Sequence, residues 1–273
     1  MTEVGDDVYV FWGDYRLTRI DRSGTTHDEA CTVGLPQTSP SGARVALARI
    51  PCPDATGQAA ISVSGPSGDR ILPVVGTLPR LLGVDDDGTV VYVDLRGGDY
   101  RDIVRVIDPD GRDRVVRHLG YVHDYDPVHH VLLATLRIDI GARAGGAMTL
   151  DGDLLWSSDR TSVQQASPDG RYAIVSRIPT RDMFYPPRSR RPLVNPRVVD
   201  TMTGETVLEL PEVAADGALV TAYQFDDDDH VLAEAWRHHR HRFVRISLDG
   251  TVTDAHPDLS GPRLEPAVIF ESR

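Results

Sequence analysis

Three stretches of the sequence gather side chains able to do chemistry. In the first, His123-Asp124-Tyr125-Asp126 is followed by His129-His130. Counted by residue type this is a metal set, but an extended strand rises about 3.3 Å per residue. His123 and His129 then stand at opposite ends of one strand and cannot share an ion at ligand distances of about 2 Å. No metal and no cofactor is expected. His123 has a second use as general acid or base. Tyr223 and Gln164 would orient a small substrate, Asp124 would assist, and Arg80 would offer charge to an anion.

The second stretch is Trp236-Arg237-His238-His239-Arg240-His241-Arg242. His239 and His241 would share one side of a strand as a metal or phosphate pair. Glu234 is the one nearby carboxylate, and arginines repel cations, so the plainer reading is a solvated turn. The functional reading assigns Trp236, His239, Arg240 and His241 to partner binding.

The third stretch, Arg177 to Arg197, carries six arginines, five prolines and the pair Phe184-Tyr185. Proline stiffens a loop that is otherwise costly to order, and arginine beside an aromatic ring is the composition of interface anchors. Phe184, Tyr185, Arg188, Arg190 and Arg191 are therefore candidate contacts for a protein partner or an anionic small molecule. A length-tolerant surface loop is the bland alternative.

The rest of the composition narrows the field. The 273 residues hold a formal charge of −12, which disfavours nucleic acid as a partner. Lysine is absent, so every permanently cationic side chain is a planar arginine fork suited to carboxylates and phosphates. No run reaches the roughly 18 apolar residues of a membrane span, and the acidic start lacks an apolar leader, so a cytoplasmic location is expected. Cys31 and Cys52 form no metal or redox motif, and a reducing cytosol disfavours a disulfide between them.

The elements that must hold these residues repeat. A turn of the type Ser167-Pro168-Asp169-Gly170 precedes an alternating strand. It returns at Ser39 to Gly42, Asp85 to Gly88, Asp126 to His129 and Asp226 to Asp229. Proline sets the first φ, aspartate bonds its own backbone and glycine takes the left-handed position. A second turn series runs through Gly24, Gly68, Gly111, Gly152, Gly204 and Gly250, at steps of 44, 43, 41, 52 and 46. Two interleaved series with a period near 45 residues mean a four-stranded antiparallel unit repeated six times, an all-β, single-domain, six-bladed β-propeller. The blades are expected at 34–77, 78–119, 120–160, 161–212 and 213–263. The first, at 1–33, lacks one strand, which residues 264–273 would supply by pairing the two ends of the chain. The third chemical stretch is an anomaly in this frame, with 34 residues between turn centres where its standard neighbours have 21 to 26.

The Ser-Pro-Asp-Gly turn, the alternating strand after it and the following Asp/Gly hairpin resemble the TolB-like, or WD40-like, propeller repeat. The resemblance covers nearly the whole chain and implies the fold rather than an activity. Prolyl-oligopeptidase-like enzymes use such propellers too, but no Gly-x-Ser-x-Gly occurs here.

Two functions are consistent with this surface. The first is a non-enzymatic scaffold presenting its arginine- and aromatic-rich loops to a protein or anionic partner. The second is a small-molecule enzyme, a lyase, cyclase or hydrolase, using a polar pocket at the mouth of the central channel. The innermost strands would line that channel with Gln37, Asp124, Gln165 and Gln224 in one column and His123, Gln164 and Tyr223 in the next.

Overall fold

The computed structural model describes residues 2–4, 7–11, 16–32, 34–51, 58–74, 78–94, 102–139, 142–177, 194–212, 214, 217, 219–237 and 240–255. They form 24 strands and, among the described residues, no helix. Each run of four consecutive strands makes one antiparallel sheet. The first holds β1 (Thr2–Val4), β2 (Asp7–Phe11), β3 (Arg16–Ile20) and β4 (Thr26–Cys31). The second holds β5 (Gln37–Thr38), β6 (Val45–Arg49), β7 (Ala60–Ser64) and β8 (Arg70–Pro73). The third holds β9 (Pro79–Val84), β10 (Val90–Asp94), β11 (Asp102–Ile107) and β12 (Asp113–Leu119). The fourth holds β13 (Tyr121–Asp126), β14 (Val131–Asp139), β15 (Ala142–Thr149) and β16 (Leu154–Asp159). The fifth holds β17 (Thr161–Ala166), β18 (Tyr172–Arg177), β19 (Val194–Asp200) and β20 (Thr206–Glu209). The sixth holds β21 (Leu219–Phe225), β22 (His230–Arg237), β23 (Arg240–Ser247) and β24 (Val252–Asp254).

Six sheets of four antiparallel strands are the six blades that the turn spacing predicts. One detail differs. The first sheet does not want a strand, because Thr2, Glu3 and Val4 pair with Tyr9, Val8 and Asp7. All four of its strands come from residues 2–31. Residues 264–273, expected to complete it, lie outside the described residues.

The chain divides into two compact units, residues 1–131 with 150–152 and residues 132–149 with 153–273. In the first, Ala46, Ala48, Ile61, Val63 and Leu72 of the second sheet pack on Val84, Val90, Tyr92 and Ile107 of the third. In the second, Ile174, Val198 and Leu210 meet Val220, Tyr223, Phe225, Val231 and Ile246 of the sixth sheet. Strands covered on both faces lose the alternation of a half-exposed strand, and every residue of β10 and β11 is buried. The outermost strands keep it. Ile71, Val115, Leu154, Val207 and Val252, one in each of β8, β12, β16, β20 and β24, are exposed.

Aspartate closes the hairpins. Asp169 Oδ1 accepts the Arg171 N–H at 3.0 Å and the Ser167 hydroxyl at 2.6 Å, while Ser167 Oγ accepts the Tyr172 N–H at 3.0 Å. Gly170 takes φ of +74° to let the chain reverse. Asp87, Asp200, Asp227 and Asp249 accept the amide two residues ahead at 2.8 to 2.9 Å. The same carboxylates also tie one turn to another. Asp86 Oδ1 accepts the Ser41 N–H at 3.1 Å and its hydroxyl at 2.6 Å, and Asp228 Oδ1 accepts the Asp169 N–H at 2.9 Å. Many of the aspartates that give the sequence its acidity are thus spent on the fold.

The turn after β13 departs from the pattern that the sequence suggests. The left-handed residue is His130, at φ +55°, not His129. Its Nδ1 lies 3.0 Å from the Tyr125 hydroxyl and 3.2 Å from Asp85 Oδ2, and Tyr125 donates to Asp85 Oδ1 at 3.0 Å. Gly83 makes room for this cluster, since a Cβ there would lie 2.7 Å from the Tyr125 ring.

Cys31 is disulfide-bonded, which corrects the expectation that it stays reduced. Cys52 lies outside the described residues. The backbone explains how Cys31 meets the following segment: Ile50 N–H bonds the Cys31 carbonyl at 2.8 Å, and Thr32 bridges Arg49.

Two predictions follow the packing. A Cβ on Gly145 of β15 would lie 2.5 Å from the Thr161 carbonyl oxygen of β17. Gly145→Ala should therefore cost about 1–3 kcal/mol in urea denaturation, and wild-type stability in that variant would refute the close approach. Burial pushes the Asp85 carboxyl up to about 6. Between the ordinary carboxylate value and 6 the folded chain keeps a proton that the unfolded chain releases, so this group's contribution falls as pH rises through that window. From pH 4 to 7, Asp85→Asn should gain on wild type by on the order of 2 kcal/mol. A relative stability that stays flat or declines would show that the buried carboxylate is favoured as an anion.

Candidate functional site

The residues first assigned to a channel pocket are largely committed to packing. The Tyr223 hydroxyl donates to the Pro211 carbonyl inside the core, and burial holds its ionisation above the usual range. It is not offered to a substrate. Gln164 Nε2 donates to Ser176 Oγ at 3.1 Å, and Gln165 Oε1 accepts the Phe225 N–H at 3.1 Å. Both glutamines stitch strands.

Arg80 is neutralised within its own unit. Its Nη2 lies 3.3 Å from Asp102 Oδ2 and donates to the Val122 carbonyl, and its Nη1 donates to the Tyr121 hydroxyl at 3.2 Å. Asp102 also accepts the Val122 N–H at 2.7 Å, and burial raises its carboxyl above the ordinary value. The guanidinium lies 4.9 Å from the Tyr121 ring centre, and that ring meets His123 edge-on at 4.8 Å. His123 and Arg80 are thus held by one aromatic stack on β13, and the charge meant for a substrate is answered by Asp102. Asp124 Oδ1 accepts the N–H of its neighbour Tyr125 at 2.9 Å.

Trp236 and His241 are cross-strand partners in the hairpin of β22 and β23, as are Arg237 and Arg240. This register gives Trp236, Arg240 and His241 strand positions, and His239 lies outside the described residues. Phe184, Tyr185, Arg188, Arg190 and Arg191 lie outside them as well. No group of acidic, histidine or cysteine side chains among the described residues has the geometry to hold a metal.

The strands that bound the long third stretch carry a pocket. It has a volume of about 220 Å³ and is lined by Thr161, Arg177, Asn195 and Arg197. The register of the fifth sheet brings these together. Thr161 opens β17 and pairs with Arg177 at the end of β18. Arg177 pairs in turn with Val194 at the start of β19, and Arg197 lies opposite Val175. All four sit at the end of the sheet away from the Ser167–Gly170 turn.

Local structure sets each lining residue. Thr161 is 3% exposed, and its hydroxyl proton goes to Ser158 Oγ at 2.9 Å, so it shapes the wall rather than donating into it. Asn195 adopts φ of +45°, a left-handed conformation that asparagine tolerates better than most residues. Its N–H is fixed by Glu212 Oε1 at 2.7 Å. Strain of this kind in a residue without glycine's freedom collects at functional sites. Arg197 Nε is covered and has no hydrogen-bond partner among the described residues.

Sequence reasoning found the two ends of this site, Arg177 and Arg197, as the limits of an anomalous loop. Thr161 and Asn195 it missed, because their place depends on cross-strand register. The one local hint was Asn195-Pro196, a residue pair with restricted backbone choices at the foot of the loop.

No protein-family model matches the chain, and no curated protein does. Solved structures do. The β-propeller domain of the trilobed protease from Pyrococcus furiosus, reported with an open velcro topology, is 12% identical at a TM-score of 0.57, over 92% of this chain and 81% of that one. An oligogalacturonate lyase in complex with manganese is 14% identical at 0.55, over 89% and 74%. A Mycobacterium tuberculosis puromycin-hydrolysing peptidase is 16% identical at 0.54, over 91% of this chain but 44% of its own. The chain likewise spans 39% and 41% of two acylaminoacyl peptidase chains. These neighbours are mostly enzymes, which overturns the expectation of a non-enzymatic scaffold. At such identities the likeness establishes the architecture, and the architecture of this chain is the β-propeller.

Proposed function

We propose that the chain is a small-molecule enzyme of the lyase, cyclase or hydrolase class, whose substrate enters the pocket lined by Thr161, Arg177, Asn195 and Arg197. The repeat is read as TolB-like on its Ser-Pro-Asp-Gly turns. The observation that carries the enzyme reading is the pocket itself, a recess of about 220 Å³ lined in part by two arginines, beside a strained asparagine. Concave sites with a few convergent polar groups are where small ligands bind.

An enzyme neighbour supports this reading, since the match covers most of the oligogalacturonate lyase chain. The sequence also holds no Gly-x-Ser-x-Gly nucleophile motif. Two guanidinium groups can orient a substrate and stabilise charge that develops on it. Glu212, exposed and bonded to Asn195, is the carboxylate placed to accept a proton beside them.

The test is a turnover screen of small esters, lactones and acidic oligosaccharides, with products followed by mass spectrometry. At least one should be converted. Arg177→Ala with Arg197→Ala should lower kcat/KM for it by about 100-fold or more while leaving circular dichroism and the thermal midpoint in place. Full turnover in that folded double variant would remove the pocket from the mechanism.

A further inference from the structure

Building on the reading of this pocket as a substrate site, we infer that the group it recognises is an oxyanion. The ligand is a small organic molecule carrying a carboxylate or a phosphate, held between the guanidinium groups of Arg177 and Arg197.

Several of the chain's other arginines sit against carboxylates. Arg80 lies against Asp102, Arg105 bonds Asp113 at 3.0 Å, and Arg114 faces Asp108 at 3.6 Å. Arg245 lies 2.6 Å from Asp226 and also pairs with Asp227. With a net charge of −12 there is no shortage of carboxylates. Arg177 and Arg197, like Arg49, Arg70 and Arg112, have no ion-pair partner among the described residues; what sets these two apart is that both line one recess. Glu209 stands opposite Arg197 in the strand register and makes no ion pair with it.

Three buried guanidinium Nε atoms lack a hydrogen bond among the described residues, those of Arg80, Arg197 and Arg245. Two of these side chains have a carboxylate at the guanidinium and the third, Arg197, does not. A guanidinium fork matches a planar carboxylate or a phosphate with two parallel bonds, so an external oxyanion arriving in the recess would supply the counter-charge that Arg197 lacks among the described residues. The wall agrees in sign. Thr161 gives its proton to Ser158, and none of the described lining residues is acidic.

A cavity of about 150 Å³ holds benzene, so the recess of about 220 Å³ has room for a single ring with its charged substituent. Carboxylate and phosphate present the same chemistry to two arginines, so the experiment separates them.

Benzoate, its neutral isostere benzamide, and phenyl phosphate are titrated by ligand-observed NMR and calorimetry. The proteins are the wild-type chain, Arg177→Gln, Arg197→Gln and the double variant, with Arg171→Gln as a folded control. At least one anion should bind saturably, with benzamide weaker by about tenfold or more. Each pocket variant should weaken the anion by about tenfold, the double variant by about 100-fold, and the control not at all. Benzoate alone binding assigns a carboxylate, and phenyl phosphate alone a phosphate. Equal affinity for benzamide, anion binding retained in the folded double variant, or no binding of either anion overturns the inference. Anion binding that vanishes in the double variant while the turnover screen stays empty would leave this inference standing and remove the enzyme reading. A neutral substrate turned over at this pocket would do the reverse.

Discussion

Many hairpins among the described residues close on a side-chain oxygen that accepts the backbone amide two residues ahead. Asp87, Asp169, Asp200, Asp227 and Asp249 all make that bond. It satisfies an amide that a tight reversal would otherwise strand, and it fixes the register of the strands on either side. Once the registers are fixed, the apolar faces of neighbouring sheets are fixed too, and the central strands can be buried on both sides. The acidity of the chain follows from this device. Asp86 and Asp228 show its second use, since each binds the turn of another sheet.

Seen from that constraint, the pocket is the place where the accounting of charge differs. Elsewhere carboxylates answer turn amides or arginines, and Asp102 answers Arg80 even at the price of burial, with its carboxyl raised as a result. In the fifth sheet the corresponding end offers two guanidinium groups and an asparagine amide, with no acid among the described residues of the wall. The nearby carboxylate, Glu212, spends one oxygen on the Asn195 amide. Two guanidinium groups without an ion pair among the described residues share one concave surface, and that is what a site for an incoming anion requires.

The architecture was legible because its signals are local and repeated. Ser167-Pro168-Asp169-Gly170 announces a turn through three residues whose backbone preferences agree, and four weaker or partial copies set the period. The site was legible only at its edges. Composition marked the stretch from Arg177 to Arg197, but pocket walls come from residues brought together across strands. Thr161 reaches Arg177 through pairing of β17 with β18, a relation that no spacing along the chain encodes. Tyr223 and Arg80 show the converse. A tyrosine in a polar column and an arginine set to meet an anion look available in sequence, yet one hydroxyl is bonded to Pro211 and the other side chain to Asp102. The missing strand of the first sheet failed for a simpler reason: residues 2–4 are too short a run to read as a strand, and pairing with β2 makes them one.

The most direct measurement is a crystal structure of the chain grown with a small aromatic carboxylate. The account predicts density for the carboxylate within hydrogen-bond distance of both guanidinium groups, with Asn195 still in its left-handed conformation. A structure in which Arg197 instead turns to Glu209 and the recess stays free of the anion at saturating concentration would contradict it.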